Sequence, residues 1–215
     1  LFINVEINRL NDFTYYKELQ FHISNLIGTN LYLNLLIFFL FTVFWILLLG
    51  FGSPILLMSG ILFGKWIGTL VSLVSITLGA LLLYIIANFF FKELIKKLLE
   101  NKFSKYFLLF KKNEFYYFFA FRFVGGLGIP FGLQNVLPVL FNISKLNYFI
   151  ASFFGFVPNF FIWNTIGSGI NQFIETNDSF SFFKLIQSNE IMFPLGFFVI
   201  IIIIAFIIRR KVFNV

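Results

Sequence analysis

The 215-residue chain has no cysteine, which excludes disulfides, thiolate catalysis and cysteine-based metal sites. It has one histidine, His22, too few for a histidine cluster. Charge is scarce: Asp, Glu, Lys and Arg make up 12% of the residues, against about 25% in soluble domains. No Asp or Glu interrupts the long apolar runs, so the usual carriers of an intramembrane proton relay are missing. Ser–His–Asp, HExxH and GxxxxGK[ST] signatures are absent as well. These absences predict a protein that is not an enzyme, binds no nucleic acid and requires no metal or cofactor.

Apolar surface is what the chain has in excess. It is 60% hydrophobic, and 37 of its residues are Phe. A soluble domain of this size is mostly surface and could not hide so much; a bilayer can. Apolar stretches near 31–49, 66–90, 147–168 and 192–208 approach the roughly 20 residues needed to cross. They are too many and too long for a signal peptide, and residues 1–30 lack that pattern. The chain begins at Leu1 rather than Met, which leaves an upstream segment open.

Two further apolar segments are too broken to cross as simple helices. One, near 50–64, reads GFGSPILLMSGILFG; the other, near 122–141, opens RFVGGLGIPFGLQNVLP. Each is followed by an unbroken helix-length run, and the same interval separates Pro54 from Gly79 and Pro130 from Gly155. Irregular backbone at membrane depth survives only against protein or a water-filled cavity. Matching Gly/Pro-interrupted segments in two halves point to a transport site. The expected fold is an all-α polytopic membrane protein, an inverted repeat of re-entrant hairpin plus transmembrane helix.

The charge that exists is unevenly placed. Lys92, Lys96, Lys97, Lys102, Lys105, Lys111 and Lys112 crowd 92–114, and Arg209, Arg210 and Lys211 end the chain. The loop 171–190 holds Glu175, Asp178 and Glu190 against Lys184. The positive-inside rule puts 92–114 and the basic tail of 191–215 in the cytoplasm and 171–190 outside. Parity then makes the first broken segment open from outside and the second from inside. With 31–49 read as a full span, the juxtamembrane residues 1–30 fall inside. The basic stretch could simply obey topology. Its apolar residues Phe91, Ile95, Leu98, Leu99, Phe103, Tyr106, Phe107 and Phe110 also recur at helical spacing, the pattern of an interfacial helix on anionic headgroups.

Few side chains could carry chemistry. Arg122 stands at the mouth of the second broken segment, where a guanidinium could clamp a phosphate bidentately. Lys65 closes the first and could equally be a snorkelling anchor beside Trp66. Gln134 and Asn135 could satisfy freed backbone or touch a ligand, while Asn88 reads as interhelical glue. Gly125, Gly126, Gly128, Gly155 and Pro158 read as structural breaks, with close packing the other reading for Gly155 and Pro158, as for Gly167 and Gly169.

In these residues the chain resembles the SNARE-associated Golgi protein family, the VTT-domain or DedA-superfamily membrane proteins. The likeness covers roughly Gly50–Gly169, inside a membrane domain expected over 31–170. Pro54, Gly60, Phe63 and Gly64 match the first re-entrant block; Arg122, Pro130, Phe131 and Asn135 match the second; Gly155 and Pro158 match the helix after it. Asn88 stands where the family often has Arg, and Gly125 where it often has Pro. The resemblance implies movement of phospholipid or a polyprenyl phosphate between leaflets, with Arg122, Pro130, Phe131, Asn135, Pro54, Gly60 and Gly64 along the groove, to which the reading of the residues themselves adds Gln134 and Lys65. The implied partners are membrane lipids, anionic ones above all, and a second copy of the chain. Phe, Lys, Asn and Ile abundance suggests a bacterial inner membrane. The alternatives are a small-solute secondary transporter and a scaffold recruiting partners through 92–112.

Overall fold

The computed structural model describes residues 12–177, 179 and 181–213, so Asp178 lies outside it. The described chain is all-α and multi-pass, with three helices long and apolar enough to cross a membrane, or four if one bent pair counts as a span. Helix α1 (Phe13–Thr29) starts at Asp12, whose side chain accepts from the Thr14 N–H at 3.0 Å. It meets α2 (Leu31–Leu47) at a bend of 106°. Asn34 pins that corner: its Nδ2 donates to Leu26 O (3.0 Å) and Asn30 O (2.9 Å).

Helix α3 (Gly52–Phe90) is two helices, 52–63 and 65–90, joined at Gly64 with φ 73° and ψ 177°. That backbone strains any residue with a Cβ. Across the break Ser59 Oγ donates to Gly68 O at 2.8 Å. In a straight helix residues nine apart would be about 13 Å apart, so the chain folds back on itself. Short helices α4 (Lys92–Phe103) and α5 (Phe107–Lys112) follow. Then α6 (Glu114–Phe123) leads through a glycine-rich tip to α7 (Phe131–Val136) and a 3₁₀ turn, Leu137–Phe141. Helix α8 (Lys145–Thr176), the short α9 (Phe182–Gln187) and α10 (Asn189–Phe213) complete the chain.

Two hairpins organise the fold. The first is α2, a tip at 48–51, and 52–63; the second is α6, a tip at 124–130, and α7. Their tips touch. A Cβ on Gly132 would sit 3.1 Å from Leu49 Cβ, and one on Gly52 would sit 3.7 Å from the Phe131 ring. The mouths lie on opposite faces: the first at Gly64, where 65–90 begins, the second at 142–144, where 65–90 has already arrived. There Lys92 Nζ donates to Asn142 Oδ1 at 2.7 Å.

The repeat extends to individual contacts. A Cβ on Gly79 would lie 3.0 Å from Ile46 Cβ and 3.2 Å from Val43 O; one on Gly155 would lie 2.7 Å from Arg122 Cβ and 3.3 Å from Phe119 O. A single shift along the chain carries Val43, Ile46 and Gly79 onto Phe119, Arg122 and Gly155, and Pro54 onto Pro130. In each half a glycine of the long helix lets the entering arm of the hairpin approach closely.

Two expectations change. Residues 31–49 pack as the entering arm of the first hairpin, α2, rather than as a straight span of their own. Its 17 residues measure about 25 Å, short of a hydrocarbon core near 30 Å. Hydropathy reads an arm and a span alike. Consequently α1 sits at the far end of α8, where Lys17, Gln20 and Ser24 line a cavity with Asn171 and Glu175. Residues 12–30 thus share a face with 171–177, opposite the basic stretch. Nor do Gly155 and Pro158 break α8, which runs helical through both. Gly155 is a packing position. Proline deletes one N–H, and the helical bonds on either side carry the chain past it.

Helix α10 is peripheral, with 11% of its apolar window buried. Phe213 packs edge-on to Tyr106 and Tyr117, bringing the basic tail to the same face as 92–112. This arrangement has a direct check, since the chain has no cysteine of its own. Cysteines at Gln20 and Ser188 should react with an impermeant thiol reagent from one side and a cysteine at Lys102 from the other. Reaction at position 20 together with 102 would restore α2 as a full span.

Candidate functional site

The second hairpin is built around Arg122. Its side chain is 1% exposed, the largest of the fully buried ones. Gly155 admits α6 close enough to α8 for the guanidinium to be trapped between them. Nε donates to Ser152 Oγ (3.0 Å), Nη1 to Asn135 Oδ1 (2.9 Å) and Nη2 to Tyr148 Oη (2.7 Å). The Phe118, Tyr148 and Phe156 rings lie 4.8, 5.2 and 4.8 Å away. Tyr148 Oη in turn donates to Asn135 O at 3.1 Å.

Every one of these partners is neutral. Among the described residues no carboxylate pairs with Arg122, and Asn135 Nδ2 is left without a partner. A guanidinium has five N–H donors, of which three are bonded here. The cluster therefore holds one uncompensated positive charge and spare donors in a water-poor place. Chemically it is a site that an anionic oxygen would complete. Its burial also closes it: no headgroup reaches Arg122 while α6 rests on α8.

Both tips are closed by a side-chain N–H. Gly125, Gly126 and Gly128 take φ of 70°, 67° and 82°, and Gln134 Nε2 donates to Gly125 O (3.2 Å) and Ile129 O (2.6 Å). In the first hairpin Trp45 Nε1 donates to Phe51 O at 3.0 Å. Carbonyls freed by the turns are thus satisfied internally, as membrane depth requires.

The first hairpin is locked to α8 without charge. A Cβ on Gly60 would fall 2.2 Å from Asn164 O, and one on Gly167 would fall 2.3 Å from Leu57 O. Buried Asn164 donates through Nδ2 to Phe160 O (2.8 Å) and Ser72 Oγ (3.2 Å). Ser72 donates to Gly68 O at 2.7 Å. Ile46 stands where Arg122 stands in the other half.

The structure brings Arg122, Gln134 and Asn135 together, with Pro130 as N-cap of α7 and Phe131 beside Gly52. Gly60 and Gly64 fall in the first hairpin instead, and Pro54 lies in the first turn of 52–63, where proline is tolerated. Lys65 is exposed at the first mouth beside Trp66, away from the Arg122 cluster. Tyr148, Ser152, Trp45 and Asn164 were not anticipated. Positions 148, 152 and 155 share one helical face, a hydroxyl–hydroxyl–glycine stripe that could have marked the Arg122 partners.

Opposed re-entrant hairpins meeting at their tips, each followed by a spanning helix, define a multi-pass membrane protein of the inverted-repeat type. The family model of the VTT domain matches residues 46–169, from the tip of the first hairpin through the whole of the second and most of α8, and the chain belongs to that family. No solved structure matches it.

Proposed function

We propose that this protein moves phosphate-bearing lipids between the two leaflets, the headgroup passing where the second hairpin meets α8 and the acyl chains staying in the bilayer. The observation that carries this reading is Arg122: a buried guanidinium with neutral partners only, beside touching hairpin tips. An ionisable group at membrane depth is costly and marks a functional path. Opening of the α6–α8 seam would let a phosphate take up the spare donors. The membrane is a bacterial inner membrane with 92–112 and the basic tail on the cytoplasmic side, as the lysine bias favours.

The test is reconstitution. In vesicles with a fluorescent phospholipid in both leaflets, a membrane-impermeant quencher should remove about half the signal without protein, and clearly more with it. An unchanged plateau would defeat the proposal. Leakage of an entrapped solute at the same rate would favour the solute-transporter alternative.

A further inference from the structure

On the basic face the second hairpin's mouth opens beside a cavity of about 650 Å³. Its walls are α5, the start of α6, the 3₁₀ turn after α7 and the start of α8. Lys111, Lys112 and Asn113 line one side; Asn142 and Asn147 line the other, above Phe110 and Phe141, which stack at 4.1 Å. Leu108, 79% exposed, and Phe115, 39% exposed, form an apolar lip facing outward.

The charge in the cavity is net positive. Two lysine ammoniums face a single carboxylate, Glu114, and that carboxylate is engaged: Asn147 Nδ2 donates to it at 2.5 Å and the Ser144 N–H at 3.3 Å. A third lysine, Lys92, is bonded to Asn142, which lines the cavity. Two ammoniums with no bonded partner among the described residues, set beside asparagine side chains and an exposed apolar lip, suit an anion that carries a hydrocarbon tail.

The cavity is also continuous with the deep cluster along two helices. Asn147 precedes Tyr148, and Glu114 and Arg122 lie on one helix, about 12 Å apart along its axis. The α6–α8 seam is therefore fastened twice, by Glu114 to Asn147 and Ser144 at the surface and by Arg122 to Tyr148 and Ser152 at depth. A headgroup at the outer fastening would sit where the seam begins to part.

We infer that this cavity is the docking site for the phosphate of an anionic membrane lipid, with Lys111 and Lys112 binding the phosphate and Leu108 and Phe115 the first part of the acyl chain. The inference rests on the lipid-moving reading and adds to it the residues that receive the headgroup.

Binding can be measured apart from transport. The thermal midpoint of the purified protein in detergent should rise with dioctanoyl phosphatidic acid and much less with dioctanoyl phosphatidylcholine. In the Lys111→Gln/Lys112→Gln double variant the apparent affinity for the phosphatidic acid should fall at least about tenfold, since two charge-assisted contacts are lost. Lys96→Gln/Lys97→Gln, on the same basic stretch but away from the cavity, should keep it. Equal binding by both double variants overturns the site, as does equal stabilisation by inorganic phosphate at the same concentration, which would assign the cavity to a free anion. Binding lost with Lys111 and Lys112 but no leaflet exchange in the vesicle assay leaves the site standing and defeats the translocation reading alone.

Discussion

Gly60→Ala and Gly167→Ala should be among the most damaging single-methyl changes in the protein. Each new Cβ would fall within 2.3 Å of a main-chain oxygen, Asn164 O for Gly60 and Leu57 O for Gly167. A backbone atom cannot rotate aside as a side-chain tip can, so the first hairpin must lift off α8. Overpacking of this kind costs roughly 2–3 kcal/mol. Because both glycines serve one seam, the double variant should lose less than the sum. Gly196→Ala on lipid-facing α10, with nothing within 4 Å of the new methyl, is the matched control and should be near neutral. Melting in detergent decides the matter. Three indistinguishable transitions would mean that hairpin and α8 are not held in this contact.

Arg122 should show the second large effect, in two separable parts. Arg122→Ala strands Asn135 Oδ1 and Ser152 Oγ in a buried site, while Tyr148 Oη keeps its bond to Asn135 O. Unsatisfied groups cost about 1–3 kcal/mol each, partly offset by removal of a desolvated charge, for a net loss near 2–4 kcal/mol. Leaflet exchange per folded molecule should fall to the protein-free rate. Arg122→Lys keeps the charge, loses the planar fork and should retain part of both. Tyr148→Phe deletes two bonds and Ser152→Ala one; they should cost about 2 and about 1 kcal/mol and leave most exchange intact. Full exchange per folded molecule in the Ala variant would reduce Arg122 to a fastening between helices and remove it from the transport path.

The hairpins were legible in the sequence because their chemistry is local. Gly/Pro punctuation inside apolar runs is a statement about backbone geometry within a few residues. The tip glycines at 125, 126 and 128, the turn at Gly64 and the matched intervals from Pro54 and Pro130 were all visible that way. What stayed hidden depends on distant partners. Whether 31–47 is an arm or a span is set by where its far end packs, and hydropathy carries no such information. Gly155 and Pro158 look like breakers, yet α8 is continuous because the helix around them is long and Gly155 is occupied by Arg122. Arg122 was found from its isolation in an apolar context. Its burial could not be, since Tyr148 and Ser152 lie on the next spanning helix.

That separation along the chain sets an order of events during synthesis. The hydrogen-bond partners of Arg122 on α8 follow it by 26 and 30 residues. When α6 leaves the ribosome neither exists, and an Arg carried to the middle of the bilayer costs about 2.5–3.5 kcal/mol on the translocon scale. The nascent second hairpin should therefore wait at the bilayer surface, tethered by the lysines of 92–112, and sink only when α8 arrives to receive it. The first hairpin, with Ile46 in the equivalent place, carries no such delay and can enter as soon as it is made.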